Sequence, residues 1–142
     1  MMQTVHEVMT TDVEYCTPVD NVYEAAVKMR DFNVGAIPIV DHGQLIGMIT
    51  DRDLVVRGIA AKRPGSTPVT EVMSDKLITI APDASVQEAA KKMAEHQIRR
   101  LPVVEHGRLV GIVSLGDLAV NRDSDESAGH ALTEISNPDF LH

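Results

Sequence analysis

The sequence predicts an α/β chain of α+β type, with two pseudo-symmetric β-α-β-β-α units packed as one compact module. Three observations predict it. Residues 5–56 align with residues 69–120 at an offset of 64 without a gap, and match at about twenty positions. Each copy holds one stripe of apolar residues at helical spacing and two short β-type runs joined by a His-Gly turn. Each copy also closes on the same pattern, Gly47-Met48-Ile49-Thr50-Asp51-Arg52-Asp53 and Gly111-Ile112-Val113-Ser114-Leu115-Gly116-Asp117. A period found this way sets the architecture before any single element is assigned.

The repeat divides the chain into a first unit at 5–60, a linker at 61–68, a second unit at 69–121 and an acidic tail at 122–142. Residues 4–10 are short and mildly amphipathic, and residues 68–74 copy them. Residues 13–17 alternate weakly and end at Pro18, which suits a short edge strand. Asp20 or Asn21 can cap the next helix, where Val22, Ala25, Ala26 and Met29 form one apolar stripe over 21–32. Ser85 caps its copy, with Val86, Ala89, Ala90 and Met93 as the stripe. Residues 34–40 form an apolar run, 41–44 a hairpin turn around Gly43, and 45–49 the return strand. Residues 51–60 read as the second helix. Lys62, Arg63, Pro64, Gly65 and Pro68 give 61–68 a linker composition. Past Val120 the pattern stops: residues 121–126 read as a loop or frayed helix end, and 127–135 as one short helix closed by Asn137-Pro138.

Composition narrows the function. The net charge of −8 opposes phosphate-backbone binding, and two Phe, two Tyr and no Trp leave no stacking platform, so nucleic acid is not an expected partner. The single cysteine, Cys16, reads as a core residue of a chain from a reducing, cytoplasmic compartment. The N-terminus lacks the basic and apolar regions of a secretion signal, and no apolar run approaches the roughly 20 residues that span a bilayer. No Ser/His/Asp set suggests a nucleophile, no Gly-rich phosphate loop is present, and the six His show no ligand spacing. His42 and His106 read as turn residues. The expectation is a protein that is not an enzyme and needs no metal or cofactor.

The doubled hydroxyl-x-x-Asp pattern has two readings. Thr50 with Asp53, and Ser114 with Asp117, fit a capping box at a helix start. They also fit a ligand grip. A carboxylate there can accept from a ribose diol, while the hydroxyl and nearby N–H groups meet phosphate. Arg99-Arg100, before Leu101-Pro102, reads either as two solvated charges or as a phosphate clamp. The first unit has Gly35-Ala36 in that place, so a clamp would be one-sided.

Two β-α-β-β-α copies, each with an x-Pro-Val/Ile-Val strand, a Gly hairpin and G-h-h-[ST]-x-x-D, resemble a tandem pair of CBS (cystathionine-β-synthase) domains over residues 5–120. With its short acidic tail the chain resembles the small stand-alone two-CBS proteins of bacteria. The resemblance implies a regulatory, non-catalytic sensor of an adenosyl-containing ligand, most simply the adenine nucleotides AMP, ADP or ATP. It implies two clefts. One would use Thr17, Val22, Val34 and Gly35 around the base, with Ile112, Ser114 and Asp117 at the sugar and phosphate. The other would use Ala81, Val86, Ile98 and Arg99 with Met48, Thr50 and Asp53, and Arg100 at phosphate. Ala81 departs from the hydroxyl that Thr17 supplies. The resemblance also implies a homodimer, with the Ala- and Met-bearing helix stripes as its surface, and a protein target. The competing reading is a ligand-free interaction scaffold whose hydroxyl-x-x-Asp motifs are only caps.

Overall fold

A computed structural model describes residues 3–119. It is an α+β structure in two compact units, and the units do not follow the repeat boundaries. One holds residues 14–77 with the hairpin tip 107–109. The other holds the described residues 3–13, 78–106 and 110–119. The repeats have therefore exchanged their first segments. The first helix, α1 (Val5–Val8), belongs with the second repeat, and the 3₁₀ turn Val69–Glu71 belongs with the first.

In the unit of residues 14–77, α2 (Val22–Phe32) is started by Asn21. The Asn21 side chain accepts from the Glu24 N–H at 2.8 Å, and the Glu24 carboxylate accepts from the Asn21 N–H at 3.2 Å. The helix stops where Asn33 takes a left-handed conformation (φ 53°). β1 (Ala36–Asp41) and β2 (Gln44–Thr50) pair antiparallel from Ala36↔Thr50 to Asp41↔Gln44, with a bulge between Ile39 and Val40. Their two-residue turn has φ 51° at His42 and 84° at Gly43, the primed geometry whose twist matches a hairpin. The core gathers Cys16, Ala25, Ile37, Ile39, Ile49, Val69 and Val72 under α2.

The second repeat builds the other unit in the same way. α4 (Val86–His96) is capped by Ser85, whose Oγ accepts from the Glu88 N–H at 3.1 Å, and ends at Gln97 with φ 58°. β3 (Arg100–Glu105) and β4 (Arg108–Ser114) are hydrogen-bonded neighbours with the same turn, φ 53° at His106 and 81° at Gly107. A short helix, α5 (Leu115–Ala119), follows. The second helix of the first repeat is α3 (Asp51–Asp53), and it continues as a π-helical stretch, Leu54–Ile59.

The exchanged segments are tied in by equivalent bonds. The Val86 N–H donates to the Gln3 carbonyl (3.0 Å), and in the other unit the Val22 N–H donates to Thr67 (2.9 Å). Thr10 pairs with Ile112, and Ser74 pairs with Met48. The close approach is where two glycines matter. A Cβ on Gly111 would lie 2.7 Å from Met9 Sδ and 2.9 Å from the Thr10 carbonyl, and a Cβ on Gly47 would strike Met73 Sδ.

Several expectations are corrected. The edge strand over 13–17 reduces to one parallel bridge, Cys16↔Ile39, because the turn that follows takes the chain away at Pro18. The apolar run from 34 becomes strand only at Ala36. The helix over 51–60 loses regular α geometry after three residues. Its Ala60 N–H reaches back five residues to Val55 (2.8 Å), where β-branched neighbours crowd an ordinary turn. Ala26 is exposed, whereas its copy Ala90 is buried. The readings of 121–126, 127–135 and 137–138 lie outside the described residues.

Cys16 is fully buried, as expected of a core residue. Burial pushes its thiol up to about 11, with the Asp20 carboxylate adding to the shift. Below the ordinary thiol pKa of 9.0 the folded and unfolded states are both protonated there. Above it the unfolded thiol ionises first, so this group withdraws stability as pH rises from about 9 towards 11. The expected outcome is slow alkylation of native protein at pH 8 and fast alkylation in denaturant, followed by mass spectrometry.

Candidate functional site

The two Asp motifs fold into the same local structure. The Asp53 N–H donates to Thr50 Oγ1 at 3.0 Å, and the Thr50 N–H donates to Asp53 Oδ2 at 2.9 Å. In the other unit the Asp117 N–H donates to Ser114 Oγ at 3.1 Å, and the Ser114 N–H donates to Asp117 Oδ2 at 2.8 Å. Both are formed capping boxes at the end of a buried strand. Each box uses one carboxylate oxygen. Oδ1 of Asp53 and of Asp117 accepts no hydrogen bond among the described residues, and both side chains are half-buried. A carboxylate held by a backbone N–H through one oxygen, with the other open, can accept a further donor without losing its cap.

The residue before each x-Pro strand sits against this box. The Asp51 N–H donates to the Gly35 carbonyl (2.9 Å), and the Leu115 N–H donates to Arg99 (2.8 Å). Gly35 thus lies against Asp51, the residue after Thr50, in one unit, and Arg99 against Leu115, the residue after Ser114, in the other. At Gly35 a Cβ would meet Asp51 Oδ2 at 3.2 Å, tighter than an ordinary contact. Arg99 and Arg100 are exposed and have no carboxylate partner among the described residues.

The remaining candidates divide by burial. Thr17, Val34, Met48 and Ile98 are half-buried, and Ala81 is exposed. Val22, Val86 and Ile112 are buried, at 8%, 0% and 8% exposure, so their side chains serve their own cores first. Thr17, Val22, Val34, Gly35, Met48, Thr50 and Asp53 fall in the unit of residues 14–77. Ala81, Val86, Ile98, Arg99, Arg100, Ile112, Ser114 and Asp117 fall in the other.

Sequence reasoning underused Asp20. Asn21, not Asp20, caps α2. The Asp20 carboxylate closes the preceding turn, accepting from the Thr17 N–H at 2.7 Å and from Thr17 Oγ1 at 3.4 Å. The signal was present as Thr-Pro-x-Asp, an acid three residues after a hydroxyl. In the copy, Ala81 and Ala84 close a similar turn through backbone alone, the Ala84 N–H donating to Ala81 at 3.2 Å. The two units therefore differ in polarity at this turn.

The family model for the CBS domain matches residues 5–58 and again 69–122. The CBS domain-containing protein YhcV of Bacillus subtilis is 54% identical over 136 residues, covering 96% of this chain and 97% of that one. Hypoxic response protein 1 of Mycobacterium tuberculosis is 39% identical over 120 residues, with 83% and 84% covered. Among solved structures, the CBS domain pair of protein MJ0100, in complex with 5′-methylthioadenosine and S-adenosyl-L-methionine, superposes with a TM-score of 0.72. It is 30% identical, with 84% of this chain and 95% of that one covered.

Proposed function

The chain belongs to the CBS domain family, and from that premise we propose that it is a regulatory module that binds an adenosyl-containing small molecule and signals its presence to a protein target. One observation carries the reading. Two half-buried carboxylates, Asp53 and Asp117, are each held by a backbone N–H through one oxygen, with the other accepting no hydrogen bond among the described residues. That oxygen suits a ribose diol. Thr50 and Ser114 are placed beside it, and Gly35 presents backbone without a side chain. The ligands of the MJ0100 domain pair support the adenosyl class. Arg99 and Arg100, with no carboxylate partner among the described residues, favour a phosphate-bearing member of that class, so AMP, ADP and ATP are proposed ahead of S-adenosylmethionine. No catalytic step is proposed, and the buried single thiol fits a cytoplasmic setting.

A second reading, a ligand-free scaffold, is favoured by the same boxes, since each hydroxyl and each carboxylate is already engaged in its cap. A thermal-shift series separates the two. A ligand at 100 times its Kd is expected to stabilise the chain by about 2.7 kcal/mol. An unchanged Tm with AMP, ATP and S-adenosylmethionine all at millimolar concentration would favour the scaffold.

We further propose that the chain is a homodimer. Of the Ala-Met stripes that the resemblance implies as its surface, Ala26 is exposed. Ala25, Met29, Ala89, Ala90 and Met93 are all buried within their own units. Light scattering is expected to give twice the 15.5 kDa chain mass, and a monomer at micromolar concentration would exclude the dimer.

A further inference from the structure

The internal repeat supplies a control for the surface. Tyr23, Phe32, Val55, Val56 and Ile59 are exposed by 66%, 54%, 55%, 48% and 74%. All five lie in the unit of residues 14–77. The first four have counterparts 64 positions on, Gln87, His96, Ala119 and Val120, whereas Ile59 lies past the aligned residues. Burying apolar area is the main reason to keep such side chains, and at three of the four matching positions the second repeat has a polar or smaller residue, which marks a contact made by one repeat only.

Three of the five lie on the π-helical stretch Leu54–Ile59, where residues four apart, such as Val55 and Ile59, point the same way. Its surroundings are basic. Residues 54–70 contain Arg57, Lys62 and Arg63 and no carboxylate, although the chain carries 21 Asp and Glu. Lys62 is exposed, with no ion-pair partner among the described residues. Arg57 donates to the Met73 carbonyl at 3.1 Å, and of these three cations only Arg63 has a carboxylate partner among the described residues, Glu71 at 3.3 Å. The stretch that follows the second repeat has the opposite charge. It carries Asp123, Asp125 and Glu126 against a single Arg122. Beyond it come Leu132, Ile135, Phe140 and Leu141, apolar anchors among Glu134 and Asp139.

We propose that the face of Val55, Val56, Ile59 and Lys62 docks the acidic C-terminal segment, residues 121–142, of a second copy of this chain. Charge complementarity selects the occupant: an acidic segment with spaced apolar residues fits an apolar face rimmed by Arg57 and Lys62. Made reciprocally, the contact closes a two-fold dimer and leaves no open end. It rests on the homodimer reading and gives that dimer a surface.

Sedimentation velocity over a micromolar concentration series tests it on three chains: the full chain, Ile59→Ser with Lys62→Glu, and a chain ending at Asn121. The double variant changes only exposed side chains, so it stays informative if the truncated chain fails to fold by circular dichroism. The full chain is expected to dimerise, each altered chain about tenfold more weakly or not at all, and high salt to weaken the full chain's dimer. A folded truncated chain, or a double variant, that associates as tightly as the full chain overturns the docking and leaves the dimer standing. A full chain that is monomeric throughout overturns both.

Discussion

Gly111→Ala and Gly47→Ala are each expected to destabilise the chain by about 1–3 kcal/mol, read from urea denaturation. The cause is overpacking. At Gly111 a methyl group would meet Met9 Sδ at 2.7 Å and the Thr10 carbonyl at 2.9 Å, and the carbonyl cannot swing away without breaking the Thr10↔Ile112 pair. Gly47 meets Met73 and the Ser74 carbonyl in the same relation. Gly58 is the control. A Cβ there meets nothing within 4 Å, so Gly58→Ala is expected to be neutral or to stabilise by about 0.5–1 kcal/mol. A neutral Gly111→Ala would mean that the exchanged segment does not press on β4. The repeated glycine of G-h-h-[ST]-x-x-D is thus explained by packing, with no ligand needed.

Asp117→Ala and Asp53→Ala are expected to act twice. Losing the box costs about 0.5–2 kcal/mol of stability. Losing the open oxygen costs ligand affinity by about 1.5–3 kcal/mol per charge-assisted hydrogen bond, roughly 10- to 100-fold in Kd. The Asn variants divide the two effects. An amide oxygen can still accept from the Ser114 or Thr50 N–H, so Asp117→Asn and Asp53→Asn should melt near the parent while binding more weakly. Equal stability and equal affinity in both Asn variants would remove these residues from any ligand site.

Much of this was legible in the sequence, because the repeat places turn and cap chemistry at fixed offsets. The His-Gly turns, the helices at Val22–Phe32 and Val86–His96 and both hydroxyl-x-x-Asp boxes follow from local rules, and the structure holds them. The exchange of first segments was not legible. Residues 3–10 and 67–74 have nearly the same pattern, and each could sit on either repeat by its own propensity. Only tertiary pairing, Thr4↔Ser85 against Asn21↔Pro68, decides. The π-helical stretch escaped for a related reason: an apolar period reports which face is buried, and here Val55, Val56 and Ile59 are exposed. At the site, the pairing of Asp20 with Thr17 was within reach of sequence, since it spans three residues. The exposed face of the first repeat was not, because exposure is a property of the assembled unit.

The central claim is that Asp53 and Asp117 are ligand groups and not caps alone. Isothermal titration of the purified chain with AMP, ATP, cyclic di-AMP and S-adenosylmethionine, repeated with Asp53→Asn and Asp117→Asn, tests it most directly. The expected result is micromolar binding of at least one ligand, weakened at least tenfold in one Asn variant that melts near the parent. Absence of heat with every ligand, or binding that both variants retain in full, would contradict it.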